Sequence, residues 1–363
     1  MSPKPLTVLG IETSCDETAA AVVRLDGETP EVLSSVIASQ IARHAPYGGV
    51  VPEIAARAHA EVIDDIILTA MRDAGTAFSD LDGVAATAGP GLVGGVMVGL
   101  SAGKAIALAR GLPLVAVNHL EGHAVSAKLG GEVRYPFLLL LVSGGHCQLL
   151  AVEGIGRCIR LGTTVDDAAG EAFDKIGHAL GLPYPGGPGL ERLAEGGDAS
   201  RFTLPRALLG RAGCDFSFSG LKTAAARLAE TVETQIDRRD LAAAVQAAIA
   251  RQLAERSRRA MALFAETHPP AERLFVVAGG VAANQAVRTA LLAEASAQGF
   301  GFAAPPLKYC TDNAAMIALA GAERLAAGLT DPLDVPARPR WPLDQAAALA
   351  NPTHKPGRKG AKA

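Results

Sequence analysis

The run His119-Leu-Glu-Gly-His123 is the sharpest chemical signal in the chain. If helical, its two imidazoles stand four residues apart on one face, about 6 Å from each other, the spacing that two ligands of one divalent metal need. Two histidines that merely line a helix would read the same way, so a metal requires further ligands from elsewhere. Asp312, in Cys310-Thr-Asp-Asn313 ahead of a late helical run, is the candidate third ligand, although an acid there also serves as an N-cap or first-turn charge. Zinc proteases of the H-E-x-x-H type set a glutamate directly after the first histidine. Here Leu120 holds that place and Glu121 follows it, which disfavours proteolysis.

Three turns could receive an anion. Ser14-Cys-Asp-Glu17 and Ser143-Gly-Gly145 each join two apolar, β-leaning runs, and Ala278-Gly-Gly280 follows an apolar strand and leads to Asn284 at the start of a helix. Glycines admit close backbone approach, so successive N–H groups can point at phosphate oxygens. The third turn has neither the G-x-G-x-x-G spacing nor a Walker lysine, so it supports neither a Rossmann nor a P-loop assignment. Between Thr163 and Lys175, the acids Asp166, Asp167, Glu171 and Asp174 recur at helical spacings. The expected helix over 167–180 puts Asp167, Glu171 and Asp174 on one face, where they repel unless a ligand or a basic group meets them. Helix-dipole complementarity accounts for the first three acids but not for Asp174, two turns in. The turn Tyr184-Pro-Gly-Gly-Pro188 offers further close approach around Gly187.

The elements that must position these residues read as a repeat. Residues 6–12 and 18–25 form an expected hairpin and 31–39 a third strand. A helix over 52–75 follows, with Ile54, Ala58, Val62, Ile66 and Ala70 on one face, then a strand at 83–88, a helix at 92–110 and a strand at 114–118. From residue 137 the order recurs: strands at 137–143, 147–152 and 158–165, the helix at 167–180, more helices, a strand at 274–278, a helix at 284–299 and a strand at 301–304. The chain therefore reads as two copies of one unit, argued from element order and matching hairpin tips. The second copy carries extra material at 183–267. One lobe is expected over 1–131, with 311–346 returning to it, a second over 132–310, and a basic, disordered tail over 347–363.

Composition removes several function classes. The length of 363 residues allows two domains or one large α/β body. Fifteen aromatics are too few for a multi-ring platform that grips single-stranded nucleic acid. Five cysteines without a C-x-x-C pair argue against a disulfide framework or a zinc ribbon and fit a reducing cytoplasm. No signal peptide is visible at the N-terminus. Residues 83–103 run without a charge, but seven glycines and Pro90 among them argue for strand, loop and packed helix rather than a membrane span. Residues 1–350 hold 30 basic and 37 acidic groups, a net −7, while the last 13 residues carry Lys355, Arg358, Lys359 and Lys362 with no acid. Residues 192–259 hold 12 basic and 8 acidic groups, a local excess of four that is either a phosphate-facing surface or a solvated helix face.

These motifs in order resemble the bacterial tRNA N6-adenosine threonylcarbamoyltransferase family: Gly10-Ile-Glu-Thr-Ser-Cys-Asp-Glu-Thr18, His119 to His123, Leu141-Val-Ser-Gly-Gly-His146, Asp166 to Lys175, Tyr184 to Pro188, Asp215-Phe-Ser-Phe-Ser-Gly-Leu-Lys222, Ala278 to Asn284 and Cys310 to Asn313. The resemblance spans about residues 7–343. It implies an α/β fold of two ribonuclease-H-like lobes, of the actin, Hsp70 and sugar-kinase superfold, around a nucleotide and metal cleft. It implies transfer of the threonylcarbamoyl group of threonylcarbamoyl-AMP to N6 of adenosine 37 in tRNAs reading codons that begin with A, with release of AMP. By motif match, His119, His123 and Asp312 would bind one Fe²⁺, or Zn²⁺ in its place. Leu141, Val142, Ser143, Gly144, Gly145, Asp174, Gly187 and Asn284 would line the adenylate site. Asp16 is the candidate for proton removal or for holding a metal-bound water. Expected partners are tRNA, an inactive paralogue bound through the N-terminal lobe, a small P-loop ATPase and the synthase that makes the adenylate, all in the cytoplasm and with no membrane. The sequence departs from the family at Cys147, where relatives often carry threonine. It also lacks the tyrosine near Leu141 that archaeal and eukaryotic relatives use as a metal ligand. A sugar or acyl kinase of the same superfold is the alternative, followed by a metalloprotease and a non-enzymatic scaffold.

Overall fold

In the computed structural model, residues 4–350 are described. The first sheet is built from β1 (Leu6–Glu12), β2 (Glu17–Asp26) and β3 (Thr29–Ser39), then, after α1 (Ile41–His44) and α2 (Pro52–Asp73), β4 (Gly83–Gly89), α3 (Val93–Arg110) and β5 (Leu114–Asn118). Its order is β3-β2-β1-β4-β5. β1 pairs antiparallel with β2 and parallel with β4. After α4 (His119–Val125) come β6 (Phe137–Val142), β7 (Cys147–Gly154) and β8 (Arg157–Thr163), followed by α5 (Ala169–Ala179), α6 (Gly186–Ala194), α7 (Ser219–Ala229) and α8 (Gln235–Thr267). β9 (Leu274–Ala278), α9 (Gln285–Ala297) and β10 (Gly301–Ala303) complete the second sheet, whose order is β10-β9-β6-β7-β8. Each sheet thus has its first strand central, the hairpin partners on one side and the two crossover strands on the other. The repeat read from element order is a repeat of topology.

β1, β4 and β5 of the first sheet are buried on both faces because both faces are covered. Leu9, Ile11 and Ala86 pack with Ile63, Ile67 and Leu100 of α2 and α3. Val8 and Ala85 pack with Met316, Leu319 and Ala320 of α10 (Ala314–Ala326), so the end of the chain returns to the first sheet. Two glycines permit that contact: a Cβ on Gly10 would lie 2.5 Å from the Ala314 carbonyl oxygen, and one on Gly321 would lie 2.3 Å from the Ala85 Cβ. Gly321→Ala is therefore expected to lower unfolding stability by about 1–3 kcal/mol through overpacking. Gly131→Ala, with nothing within 4 Å, should leave it within about 0.5 kcal/mol of wild type. Urea titration of the two variants checks the contrast.

Several elements differ from the expectation. The buried stripe of α2 is Ala55, Ala58, His59, Ile63, Ile67 and Ala70, turned from the expected one, so that Ile54, Val62 and Ile66 are only half-buried. The stripe turns because His59 packs inward, bonded to Thr18 Oγ1 at 2.8 Å and to the Cys15 carbonyl at 3.1 Å. α8 is a core helix: Leu241, Val245, Ile249, Leu253, Met261 and Phe264 join the core under β6 and β7, and α8 precedes β9 as α2 precedes β4. The elements of the second half without a counterpart are α5 to α7. Of the stretch 347–363 expected to be a disordered tail, residues 347–350 belong to a helix, α11 (Gln345–Ala350), preceded by Asp344, which accepts from the amide of Arg160. Residues 351–363 lie outside the described residues. α3 is long and apolar enough to cross a membrane by length and composition, and it buries Leu100 and Ala107 against the first sheet.

Candidate metal centre and the loops that face it

α4 starts directly off the end of β5, because Asn118 turns the chain and caps it: its Oδ1 accepts from the Leu120 amide at 2.9 Å. The helix places His119 and His123 edge to face, ring centroids 4.7 Å apart, both buried. Asp312 meets them, its Oδ1 lying 3.6 Å from His119 Nε2 and 3.1 Å from His123 Nε2. Asn313, the next residue, is the cap of α10, accepting from the Met316 amide, so Asp312 is released from the capping role that an acid there could have had. The ligand atoms of His119, His123 and Asp312 all fall within 4.8 Å of one another. α4 and α10 touch closely enough to hold this arrangement, since a Cβ on Gly122 would lie 2.8 Å from Ile317 Cδ1.

The remaining nitrogen of His119 is held by Glu12 at the end of β1: Nδ1 lies 2.8 Å from Glu12 Oε2, with Ser14 Oγ 3.1 Å away. Thr87 Oγ1 donates to the same carboxylate at 2.7 Å. An imidazole that gives Nδ1–H to a buried carboxylate presents Nε2 as a lone pair, the usual carboxylate–histidine–metal arrangement. Two imidazole nitrogens and one carboxylate fit a divalent transition ion, and three protein donors leave coordination positions open. Burial opposes charge on His119, but Asp312 and Glu12 outweigh it and raise its pKa to about 9. Burial likewise opposes ionisation of Asp312, yet His119, His123 and His146 together hold its carboxyl well below the usual range. Glu17 is pushed up to about 10 by burial and by the nearby Asp312 and Asp16 carboxylates.

Across from this group lies the second sheet's first tip. Gly144 and Gly145 are exposed, and a Cβ on either would meet nothing within 4 Å, as is also true of Gly280 after β9. Gly279 is the tight point beneath them, with φ +97° and a Cβ position 2.4 Å from the Val142 carbonyl oxygen. The charge of His146 at this tip is the smallest of the influences that hold the Asp312 carboxyl down. At the 184–188 turn, burial and then the Asp16 charge raise the Tyr184 phenol above its ordinary range.

The comparisons with known proteins agree with this geometry. Residues 31–319 match the family model described as tRNA N6-adenosine threonylcarbamoyltransferase. A protein of that name from Caulobacter vibrioides is 74% identical over 100% of both chains, and one from Maricaulis maris is 59% identical over 99% of this chain and 97% of its own. The chain belongs to the tRNA N6-adenosine threonylcarbamoyltransferase family. Solved structures of HypF, one in its phosphate- and nucleotide-bound form, match 89% and 90% of this chain and 46% and 50% of theirs. Their TM-scores are 0.57 and 0.56 at 11% and 15% identity, which shows the fold: two ribonuclease-H-like halves of the actin and Hsp70 type.

Several residues expected in the adenylate site of this family member have other work. Leu141 and Val142 are fully buried on opposite faces of β6, so only their backbone could reach a ligand. Asn284 caps α9, accepting from the Val287 amide at 3.0 Å, and gives its Nδ2 to Gln246 at 2.9 Å. Asp174 accepts from the amides of Gly186 at 2.8 Å and Gly187 at 3.3 Å, fixing the 184–188 turn. The expected acidic face does not form, because α5 starts at Ala169. Asp166 caps α7 through the amides of Phe218 and Ser219, and Asp167 pairs with Lys222. Glu121 is spent on Arg324 and the Gly156 amide, which removes the candidate base of a protease. Gly89-Pro-Gly91-Leu-Val-Gly94 does have the G-x-G-x-x-G spacing, but the chain itself fills it: the Leu92 amide bonds Ser14 O at 2.8 Å, and a Cβ on Gly91 would lie 2.6 Å from that oxygen.

Glu12 is the functional residue that sequence reading missed, and a buried acid closing an apolar strand was its only local sign. Because a metal must displace the His119 proton, apparent metal affinity is expected to rise about tenfold per pH unit from 7 towards 9 and to level off above it. Glu12→Gln should weaken binding by about 10–100-fold and move that levelling to lower pH. Competition titrations with a chromophoric chelator at several pH values check both, and a flat profile would refute the role given to His119.

Proposed function

We propose that this chain transfers the threonylcarbamoyl group of threonylcarbamoyl-AMP to N6 of adenosine 37 in tRNAs reading ANN codons, with release of AMP. The observation that carries the reading is the His119–His123–Asp312 group facing glycine-opened loops, in a chain that belongs to the threonylcarbamoyltransferase family. The backbone at Ser143–Gly145 and Gly280 receives the adenylate, with Leu141 and Val142 contributing backbone only. Asp174 acts by holding Gly187 in place, and Asn284 by setting the start of α9. His119, His123 and Asp312 would hold Fe²⁺ or Zn²⁺, which when bound supplies Lewis-acid charge for a phosphoryl or carbonyl oxygen. Asp16, 7% exposed at the first tip, accepts the proton that the exocyclic amine loses as its nitrogen attacks the carbamoyl carbon and AMP departs.

The protein works in the cytoplasm as two lobes, 1–131 with 311–346 and 132–310, alongside an inactive paralogue, a small P-loop ATPase and the adenylate-forming synthase. The paralogue docks on the N-terminal lobe at α2 and its neighbour α3, where Leu68, Val93 and Met97 are 57%, 48% and 55% exposed. The reading is tested by incubating unmodified tRNA with threonine, bicarbonate, ATP, the synthase and this chain, with and without the partners, then digesting the tRNA for nucleoside mass spectrometry. Threonylcarbamoyladenosine that requires this chain supports it. Modification that proceeds equally without the chain, or none with the complete set, sinks it. Robust turnover by the isolated chain with purified adenylate would remove the partners alone.

A further inference from the structure

The local basic excess of residues 192–259 resolves into one built feature. Arg256 of α8 is 1% exposed, and its guanidinium donates to the carbonyls of Leu208, Arg211 and Gly213, while Gln252, one turn earlier, donates to the Ala207 carbonyl. Burying a guanidinium is costly unless hydrogen bonds satisfy it, as these carbonyls do. What it secures here is a surface loop, residues 205–213, with Leu208 held at φ +57° and Leu209 60% exposed. A non-glycine residue in left-handed backbone is sustained only where the surroundings impose it, and such strain concentrates at working loops.

The clamped loop displays Arg206 and Arg211, both exposed and without a carboxylate partner among the described ion pairs. The exposed Arg251 and Arg258 flank the clamp on α8. Beyond the loop, Phe216 runs beside the end of β8, bonded to Thr163 and Val165, and the Phe218 amide reaches Asp166 just before α5, whose Gly170 packs on the Ser143–Gly144 tip. The loop is thus fixed to the same rim as the cleft. We propose that residues 205–213 are a preformed arginine fork that grips the phosphate backbone of the tRNA whose adenosine enters the cleft. The inference rests on the tRNA reading of the function. A body of net −7 over residues 1–350 needs such a local cationic contact to hold a polyanion at all.

The test is the full chain in the reconstituted modification system, comparing wild type with Arg206→Ala/Arg211→Ala and Arg206→Lys/Arg211→Lys. Both side chains replaced are surface groups. The alanine pair is expected to weaken tRNA binding about tenfold at 150 mM salt and to reduce the slope of log affinity against log salt by about 2, with KM for tRNA raised, kcat at saturating tRNA kept and adenine nucleotide affinity unchanged. The lysine pair, which keeps the charge, should stay within about threefold of wild type. An alanine pair with wild-type tRNA affinity and salt slope, in a system that modifies tRNA, overturns the fork alone. A wild-type system that produces no modified nucleoside overturns the functional reading and the fork with it.

Discussion

Changing His123 to alanine is expected to remove the bound metal and lower threonylcarbamoyl transfer by about a thousandfold while leaving the fold intact. The size follows from the several kcal/mol that a Lewis-acid centre contributes to a charged transition state, at one decade for each 1.4 kcal/mol. Few hydrogen bonds are lost with it: among the described residues its Nε2 meets Asp312 and its Nδ1 has no hydrogen-bond partner, so the cost to the fold is the cavity left by one buried ring. His119→Ala should lose metal and activity equally but also cost about 1–3 kcal/mol of stability, since the buried Glu12 carboxylate loses its imidazole partner. The pair separates liganding from architecture. Metal analysis of the purified variants with thermal melts is the check, and wild-type metal content in either one would remove the assignment.

Valine at Gly145 or Gly280 is expected to abolish adenine nucleotide binding, by about a hundredfold or more, with the melting temperature moved by only a few degrees. A Cβ at either position meets nothing of the protein, so the new side chain projects into the space where a ligand's phosphate would lie against bare backbone. The neighbouring Gly279 supplies the contrast: any side chain there collides with Val142 O and must also adopt φ +97°, so Gly279→Val should fail by unfolding instead. Isothermal titration with an adenine nucleotide, alongside a melt of each variant, distinguishes a blocked site from a broken fold. Undiminished affinity in both Gly145→Val and Gly280→Val would move the nucleotide elsewhere.

Local periodicity made much of this protein legible. The apolar runs and their hairpin tips gave both sheets, and the four-residue spacing of His119 and His123 reported a helical pair before any third ligand was known. Partnerships across long separations were not legible. Glu12 lies 107 positions from His119, and no spacing rule connects them. Asp166 read as an acid complementing the dipole of the helix that follows it, yet it is spent 52 positions away on the start of α7. Asn284 and Leu141 show the opposite limit, since a motif marks their positions without saying whether side chain or backbone faces the ligand.

The close seat of Gly122 on α10 has a consequence for the working cycle. α10 rests on the first sheet, while α4 is shared between the sheets, Val125 packing on the first and Leu120 and Ala124 against Phe137 and Leu139 of the second. The glycine tips at 143–145 and 280 belong to the second sheet. Whatever the tips do, the three donors stay with one another, because the close seat of Gly122 ties α4 to α10. An ion bound by those donors would therefore keep its protein ligands through any movement of the tips.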